Sequence, residues 1–338
     1  MVRFADILKN LDKNKESPPL SSAQGRENIS LSEDFSPSPE DANLYKETLT
    51  LVKELFRKNV DYEAIDIHKL IAQIEKVVDQ IIRNEKDLLM LAFLGDSQSE
   101  DTQEYLCYDS VNTCVFSLVM GKASGYEREE LMELGLSALL HDIGMVKYYD
   151  LISQPRQLTK TELKEIKEHP STSVAILNRF AKYLPQTVLQ VVYQHHERIN
   201  RTGYPQGLGR ELINSHAMIV GLADVYEALI HHRPYRQEFM PFEAMERILA
   251  DKESFEYRLI KVLIEKIGIF PVGSWVEMSD GSIAEVIKIN SASPLRPIVR
   301  KLYNAKARKI EKPEIINLAQ CPDLSIKRGI KRRERGDT

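Results

Sequence analysis

The sequence predicts a mainly α-helical protein that ends in a small β appendix. Three observations predict it. From Ala42 to about Gly268, apolar residues recur at spacings of three and four, the period of amphipathic helices. Beyond Phe270 the period becomes two, as in half-buried strands. Within the helical part, histidines and aspartates sit inside apolar segments, where unpaired polar groups are costly.

Residues 1–40 hold S-P-P-L-S-S and S-P-S-P-E-D, rich in Pro, Ser and acid and poor in large apolar groups. Such a stretch cannot offset its ordering entropy, so a disordered leader is expected. Residues 41–98 form an N-terminal helical region. Ile67, Leu70, Ile71, Ile74, Val77, Val78 and Ile81 make one stripe on a helix, and Glu85 to Leu94 is a second, shorter segment. The stripe serves either as core or as a homodimer contact.

Residues 99–270 form the central helical domain. Glu104 to Met120 reads as a helix carrying Asp109. Leu131 to Leu140 is an apolar helical run that ends in His141-Asp142, followed by a loop to Leu158. Thr159 to Phe180 reads as a helix opened by a capping box, Thr159 with Glu162. Pro170 removes a helical hydrogen bond, so a break is expected at His169, and a break can aim that side chain inward. Leu184 to Arg198 is a helix following Pro185 and closing on His195-His196-Glu197. A loop with several glycines comes next, then a buried helix from Asn214 to His231 with Asp224 at its centre. Arg233 to Arg236 reads R-P-Y-R, and further helices extend to Gly268.

Residues 271–320 are the β appendix. Its strands are expected around Trp275-Val276, from Ile283 to Ile289 after the turn Ser279-Asp280-Gly281, and from Pro297 to Leu302. Residues 321–338 are a basic tail, expected to be solvated.

Composition narrows the classes. The chain has 338 residues, 43% hydrophobic and 28% charged, which fits an ordinary globular protein with a sizeable core. Its net charge of -4 gives no bias toward nucleic acid, and no nucleic-acid partner is expected. Cys107 and Cys114 fall on one expected helix, about 10 Å apart along its axis, too far for a disulfide. No apolar run approaches the ~20 residues of a membrane span, and no signal peptide is evident, so a cytoplasmic location is expected. No G-x-G-x-x-G, P-loop or paired C-x-x-C is present.

The chemistry lies in His141, Asp142, His169, His195, His196 and Asp224. Taken singly, each has an ordinary explanation, such as a helix cap or a helix-end cation. Together, metal coordination accounts for all of them. Imidazole mixed with carboxylate suits iron, manganese or zinc better than calcium or magnesium. A carboxylate beside a ligand histidine can bridge two metals, and a two-metal centre points to hydrolysis of a phosphate ester.

The order H-D, H-P, H-H-E, G-Y-P, A-D and R-P-Y-R resembles the HD-GYP family of cyclic di-GMP phosphodiesterases over about residues 100–268. The β appendix is similar to the C-terminal extension of many members. The resemblance implies an all-helical HD-domain bundle holding two divalent metal ions, iron or manganese, that hydrolyses cyclic di-GMP to pGpG or GMP. It implies Asp109, His141, Asp142, His169, His195, His196 and Asp224 as metal ligands, with Asp142 bridging. It implies Gly203, Tyr204, Pro205, Arg233 and Arg236 as substrate-binding residues, and GGDEF-type proteins as partners. The sequence departs from the pattern in places. Asp109 replaces a ligand histidine, and Tyr105 stands where three-metal members carry a glutamate. Met145 replaces the lysine of H-D-I-G-K, so Lys147 is expected to reach the phosphate, with Asp142, as a catalytic residue. The alternative is a degenerate domain that senses cyclic di-GMP, or binds a partner protein, without efficient turnover.

Overall fold

The computed structural model describes residues 37–57, 62, 65–95, 102–154, 156–233 and 236–330. The expected disordered leader up to residue 36, Pro234 and Tyr235 of R-P-Y-R, and the tail from residue 331 lie outside the described residues.

Three helices open the described chain: α1 (Pro39–Leu55), α2 (Ile67–Arg83) and α3 (Lys86–Leu94). Helix α1 begins a few residues before Ala42, because Ser38 caps it, its hydroxyl accepting from Asp41 N at 3.1 Å, and Pro39 suits the first turn. The stripe on α2 is buried at Ile67, Leu70, Ile74, Val77, Val78 and Ile81, while Ile71 is partly covered. These side chains pack on α4 (Thr102–Ala123) and α5 (Arg128–Leu140). At ~1.5–3 kcal/mol for each fully buried aliphatic side chain, that face is core and is not available as a homodimer contact.

Helix α4 is the central strut. Every residue from Asp109 to Gly121 is buried, because α1, α3, α5 and two later helices surround it. A helix covered on all sides must carry any polar residue for a reason. After α5 the chain makes a 3-10 turn, Ile143–Tyr148, and the short α6 (Tyr149–Ile152), where a loop was expected. The expected helix from Thr159 is broken into α7 (Lys160–Ile166) and α8 (His169–Leu177). The Thr159–Glu162 capping box is present, and the break falls where Pro170 demands it. Helix α9 (Gln186–Gln194) stops before His195 and does not run to Arg198. Arg198 sits past the end and donates from Nη1 to the carbonyls of His195 and Glu197, both at 2.9 Å. Helices α10 (Ser215–Ile230), α11 (Pro241–Ala250) and α12 (Tyr257–Lys266) complete the bundle, with α10 and α12 against α4. Among the described residues, no helix is long and apolar enough to cross a membrane.

The appendix is one antiparallel sheet, larger than expected. Its strands are β1 (Trp275–Met278), β2 (Ile283–Lys288), β3 (Ile298–Tyr303), β4 (Lys309–Asn317) and β5 (Ile326–Ile330), in the order β4-β3-β2-β1-β5. Strand β4 holds Pro313, which an edge strand tolerates because its outer N–H groups need no partner. Strand β5 corrects the basic-tail boundary at residue 321. It pairs with β1, Val276 opposite Gly329, and its charges are met across the strand pair. Lys327 Nζ and Arg328 Nε lie 2.7 and 2.8 Å from the two carboxylate oxygens of Glu277.

Candidate metal centre

Three of the expected ligand histidines sit at helix ends, and this decides how their rings point. His141 closes α5, His195 closes α9, and His169 opens α8 directly after α7. In each ring Nδ1 donates to the carbonyl three residues earlier: His141 to Ala138 at 2.8 Å, His169 to Ile166 at 2.9 Å, His195 to Val192 at 2.8 Å. These carbonyls have no onward helical partner. A carbonyl can only accept, so Nδ1 carries the proton in each neutral ring, and Nε2 presents a lone pair.

The three Nε2 atoms turn to one buried spot. His169 Nε2 lies 3.5 Å from His195 Nε2 and 3.1 Å from His196 Nε2. Asp142 Oδ1 lies 3.0 Å from His169 Nε2, 3.6 Å from His195 Nε2 and 3.8 Å from His141 Nε2. On the far side, His141 Nε2 faces Asp109 Oδ2 at 3.7 Å and Asp224 Oδ1 at 4.0 Å. Asp224 Oδ2 is 3.8 Å from His196 Nδ1. His141 and His195 are fully buried, and His169, Asp109, Asp142 and Asp224 are nearly so. Asp109 Oδ2, His141 Nε2 and Asp142 Oδ1 have no hydrogen-bond partner among the described residues. Buried acceptors aimed at one another without a proton between them are costly, and a divalent cation would satisfy them together.

Two ligand groups meet these conditions: Asp142 with His169, His195 and His196, and Asp142 with Asp109 and His141. Asp142 belongs to both. Burial opposes its ionisation, but His141 and His169 outweigh burial and hold its carboxyl well below the usual range. Burial pushes His195 and His196 down, keeping them neutral ligands. His169 is raised against burial by Asp142. Burial raises the Asp109 carboxyl well above its ordinary value, with Arg233 opposing.

The G-Y-P segment forms a wall beside this centre. Tyr204 stacks on His196, ring centroids 4.6 Å apart at 28°, across a cis Tyr204–Pro205 bond. Gly203 is needed for close approach. A Cβ there would stand 2.4–2.5 Å from the backbone of His196, Glu197 and Arg198. Sequence reasoning missed Glu197 and Lys167. Glu197 is buried and accepts from Gln206 N at 2.7 Å and Leu208 N at 2.8 Å, which ties the loop down. Its place directly after the histidine doublet was the available signal. Lys167 is exposed, and its ammonium lies 5.0 Å from the Tyr204 ring centre. No sequence pattern marked it, because its neighbour is brought to it by the α7–α8 break.

The structure separates the remaining expected residues from the centre's interior. Lys147 is exposed, with its ammonium 5.6 Å from the Tyr148 ring centre. Among the described residues it makes no ion pair or hydrogen bond with a ligand side chain. Met145 is buried. Arg236 donates to the Ala228 carbonyl and lies 4.7 Å from the Phe239 ring centre. Arg233 is turned inward onto Asp109 and Glu227.

Residues 93–257 match the family model described as HD domain, and residues 275–337 the one described as KOW domain associated with HD domain. Cyclic di-GMP phosphodiesterase PA4108 of Pseudomonas aeruginosa is 28% identical over 271 residues, 80% of this chain and 64% of that protein. Cyclic di-GMP phosphodiesterase PdeB of Borreliella burgdorferi is 30% identical over 230 residues, 68% of this chain and 59% of that protein. The chain thus spans under two thirds of the length of these relatives. The solved structure of Bd1817, an HDG"Y"P protein from Bdellovibrio bacteriovorus, superposes with a TM-score of 0.54 at 21% identity, covering 69% of this chain and 74% of that one, a likeness of fold.

Proposed function

We propose that this chain, whose residues 93–257 match the HD domain family model, is a metal-dependent phosphodiesterase that hydrolyses cyclic di-GMP. The observation that carries the reading is the convergence of imidazole nitrogens and carboxylate oxygens in one buried space, where Asp109 Oδ2, His141 Nε2 and Asp142 Oδ1 have no hydrogen-bond partner among the described residues. Similarity to proteins named cyclic di-GMP phosphodiesterases supports the substrate.

Two divalent ions fit the donors present. His169, His195 and His196 would hold one, Asp109 and His141 with Asp224 the other, and Asp142 would bridge them. The mixed nitrogen and oxygen set favours iron or manganese. Bound there, such ions supply Lewis-acid polarisation of a phosphate and a water made acidic enough to attack it.

The protein's own residues do the rest. The carbonyls of Ala138, Ile166 and Val192 hold the rings in the ligating tautomer. Tyr204 offers an aromatic face, and Glu197 holds its loop against the histidine doublet. Lys167 at that face and Lys147 are exposed cations that can approach an anionic substrate from solvent.

The test is turnover by protein loaded with Mn(II) or Fe(II), with products separated chromatographically. Metal-dependent conversion of cyclic di-GMP to pGpG or GMP, abolished in His169→Ala, is expected. Metal-loaded protein that binds cyclic di-GMP and releases no product would instead be a sensor.

A further inference from the structure

We propose that Arg233 is the built-in counter-cation of Asp109, a positioning residue behind the metal centre and not a substrate-binding arginine. This rests on the metal-centre reading above. The two oxygens of Asp109 are divided between two neighbours. Oδ1 takes the Arg233 guanidinium in a short contact, and Oδ2 faces His141 Nε2 at 3.7 Å. The same Arg233 nitrogen, Nη2, lies 3.3 Å from Glu227 Oε2. The other Glu227 oxygen meets His231 Nδ1 at 2.9 Å and Asn112 Nδ2 at 3.2 Å. The guanidinium also lies 5.2 Å from the Tyr105 ring centre. It is therefore enclosed by two carboxylates and an aromatic face. Only 11% of its side chain is exposed, and the carboxylates are 1% and 3% exposed.

Charge explains the arrangement. A neutral imidazole ligand needs no counter-ion, whereas an aspartate brings one negative charge to a buried site. Asp109 joins Asp142 and Asp224 around His141, so before metal binds three carboxylates crowd one buried site. Arg233 supplies one positive charge on the outer oxygen and leaves the inner oxygen to the centre. A guanidinium suits the task because its charge is permanent and weakly hydrated, and here its Nη2 faces both carboxylates. Glu227, gripped by His231 and Asn112, holds the guanidinium from behind. Without Arg233 the Asp109 and Glu227 carboxylates repel each other, and the inner oxygen loses its aim. Tyr105 contributes the aromatic face that closes the box.

The test is a double-mutant cycle read on metal affinity by chelator competition. Arg233→Met in the native chain should weaken metal binding ~10–100-fold, the usual loss when a ligand's outer partner is removed. Arg233→Lys should recover part of it. In an Asp109→His background, Arg233→Met should weaken binding far less, since the ligand at that position then carries no charge to compensate and only Glu227 still faces the guanidinium. The metal-free protein gives a second readout: Arg233→Met should lower Tm by about 5–10 °C beside Asp109, and by much less beside Asp109→Asn. The proposal is overturned by an equal effect in both backgrounds. It is also overturned if Arg233→Met raises the KM for cyclic di-GMP while metal affinity stays native. A native chain that binds no divalent ion would sink the functional reading, and the melting cycle would still decide whether Arg233 and Asp109 act as a pair.

Discussion

Gly144 carries no ligand, yet its replacement by alanine should dismantle the metal centre. It lies where the turn after Asp142 crosses the start of α8. Its N–H donates to Ser173 Oγ at 2.8 Å, and that hydroxyl donates to the His141 carbonyl at 3.1 Å. A Cβ at Gly144 would stand 2.3 Å from the His169 carbonyl oxygen, 2.6 Å from Ser173 N and 2.7 Å from Ser173 Oγ. The two closest atoms are backbone and cannot escape by a change of rotamer. Ordinary contact begins near 3.4 Å, so α8 and the turn must part by about 1 Å. Metal–ligand distances tolerate only ~0.2 Å. The 3.0 Å approach of His169 to Asp142 is then lost, although neither residue has changed. Overpacking of this kind costs ~1–3 kcal/mol. At ~2–4 °C per kcal/mol for a domain of this size, the metal-free protein should melt several degrees lower. Elemental analysis after dialysis, with thermal unfolding of metal-free protein, measures both effects. A Gly144→Ala protein that keeps native metal content and melts within a degree of native would refute the crossing as the reason for glycine.

Asp142→Ala should empty both metal positions, because both ligand groups share that carboxylate, whereas His169→Ala should chiefly weaken one; full metal content in Asp142→Ala would remove the bridging role. Glu197→Gln replaces an acceptor-only carboxylate that holds two loop N–H groups, so KM for cyclic di-GMP should rise roughly tenfold to a hundredfold, from ~1.5–3 kcal/mol per charge-assisted bond, and an unchanged KM would show that the loop needs no anchor. Met145→Lys places a cation where the resemblance expects one. It should speed turnover by up to ~10²–10³ with little change in affinity, at some cost in stability because the position is buried, and steady-state kinetics with no gain in kcat would count against it.

The candidate ligand set was legible because apolar helices make a buried histidine or aspartate conspicuous. Asp224 inside M-I-V-G-L-A-D-V-Y needs no alignment to be noticed. The α7–α8 break was legible for the same reason, since Pro170 forbids a continuous helix. What the sequence hid depends on partners far along the chain. Strand β5 reads as a basic tail until Glu277 is placed beside Lys327 and Arg328. The meeting of Arg233 with Asp109 is hidden until α4 places the two side by side. Strand β4 carries a proline that argues against a strand unless the strand is known to lie at an edge.

The end of α9 shows why the boundaries matter to the chemistry. In a continuing α-helix, consecutive side chains point ~100° apart around the axis. A helix running to Arg198 would leave only one of His195 and His196 facing the centre. Because α9 stops at Gln194, His195 turns its Nδ1 back onto Val192 and its Nε2 toward Asp142. The next residue can then swing alongside, and the two rings lie 4.0 Å apart at 44°. His196 thereby reaches His169 with Nε2 and faces Asp224 with Nδ1, and it offers its flat side to Tyr204. The doublet can serve as two ligands because the helix ends between its apolar face and its histidines. Arg198, donating to the carbonyls of His195 and Glu197, satisfies the backbone that this early stop leaves open.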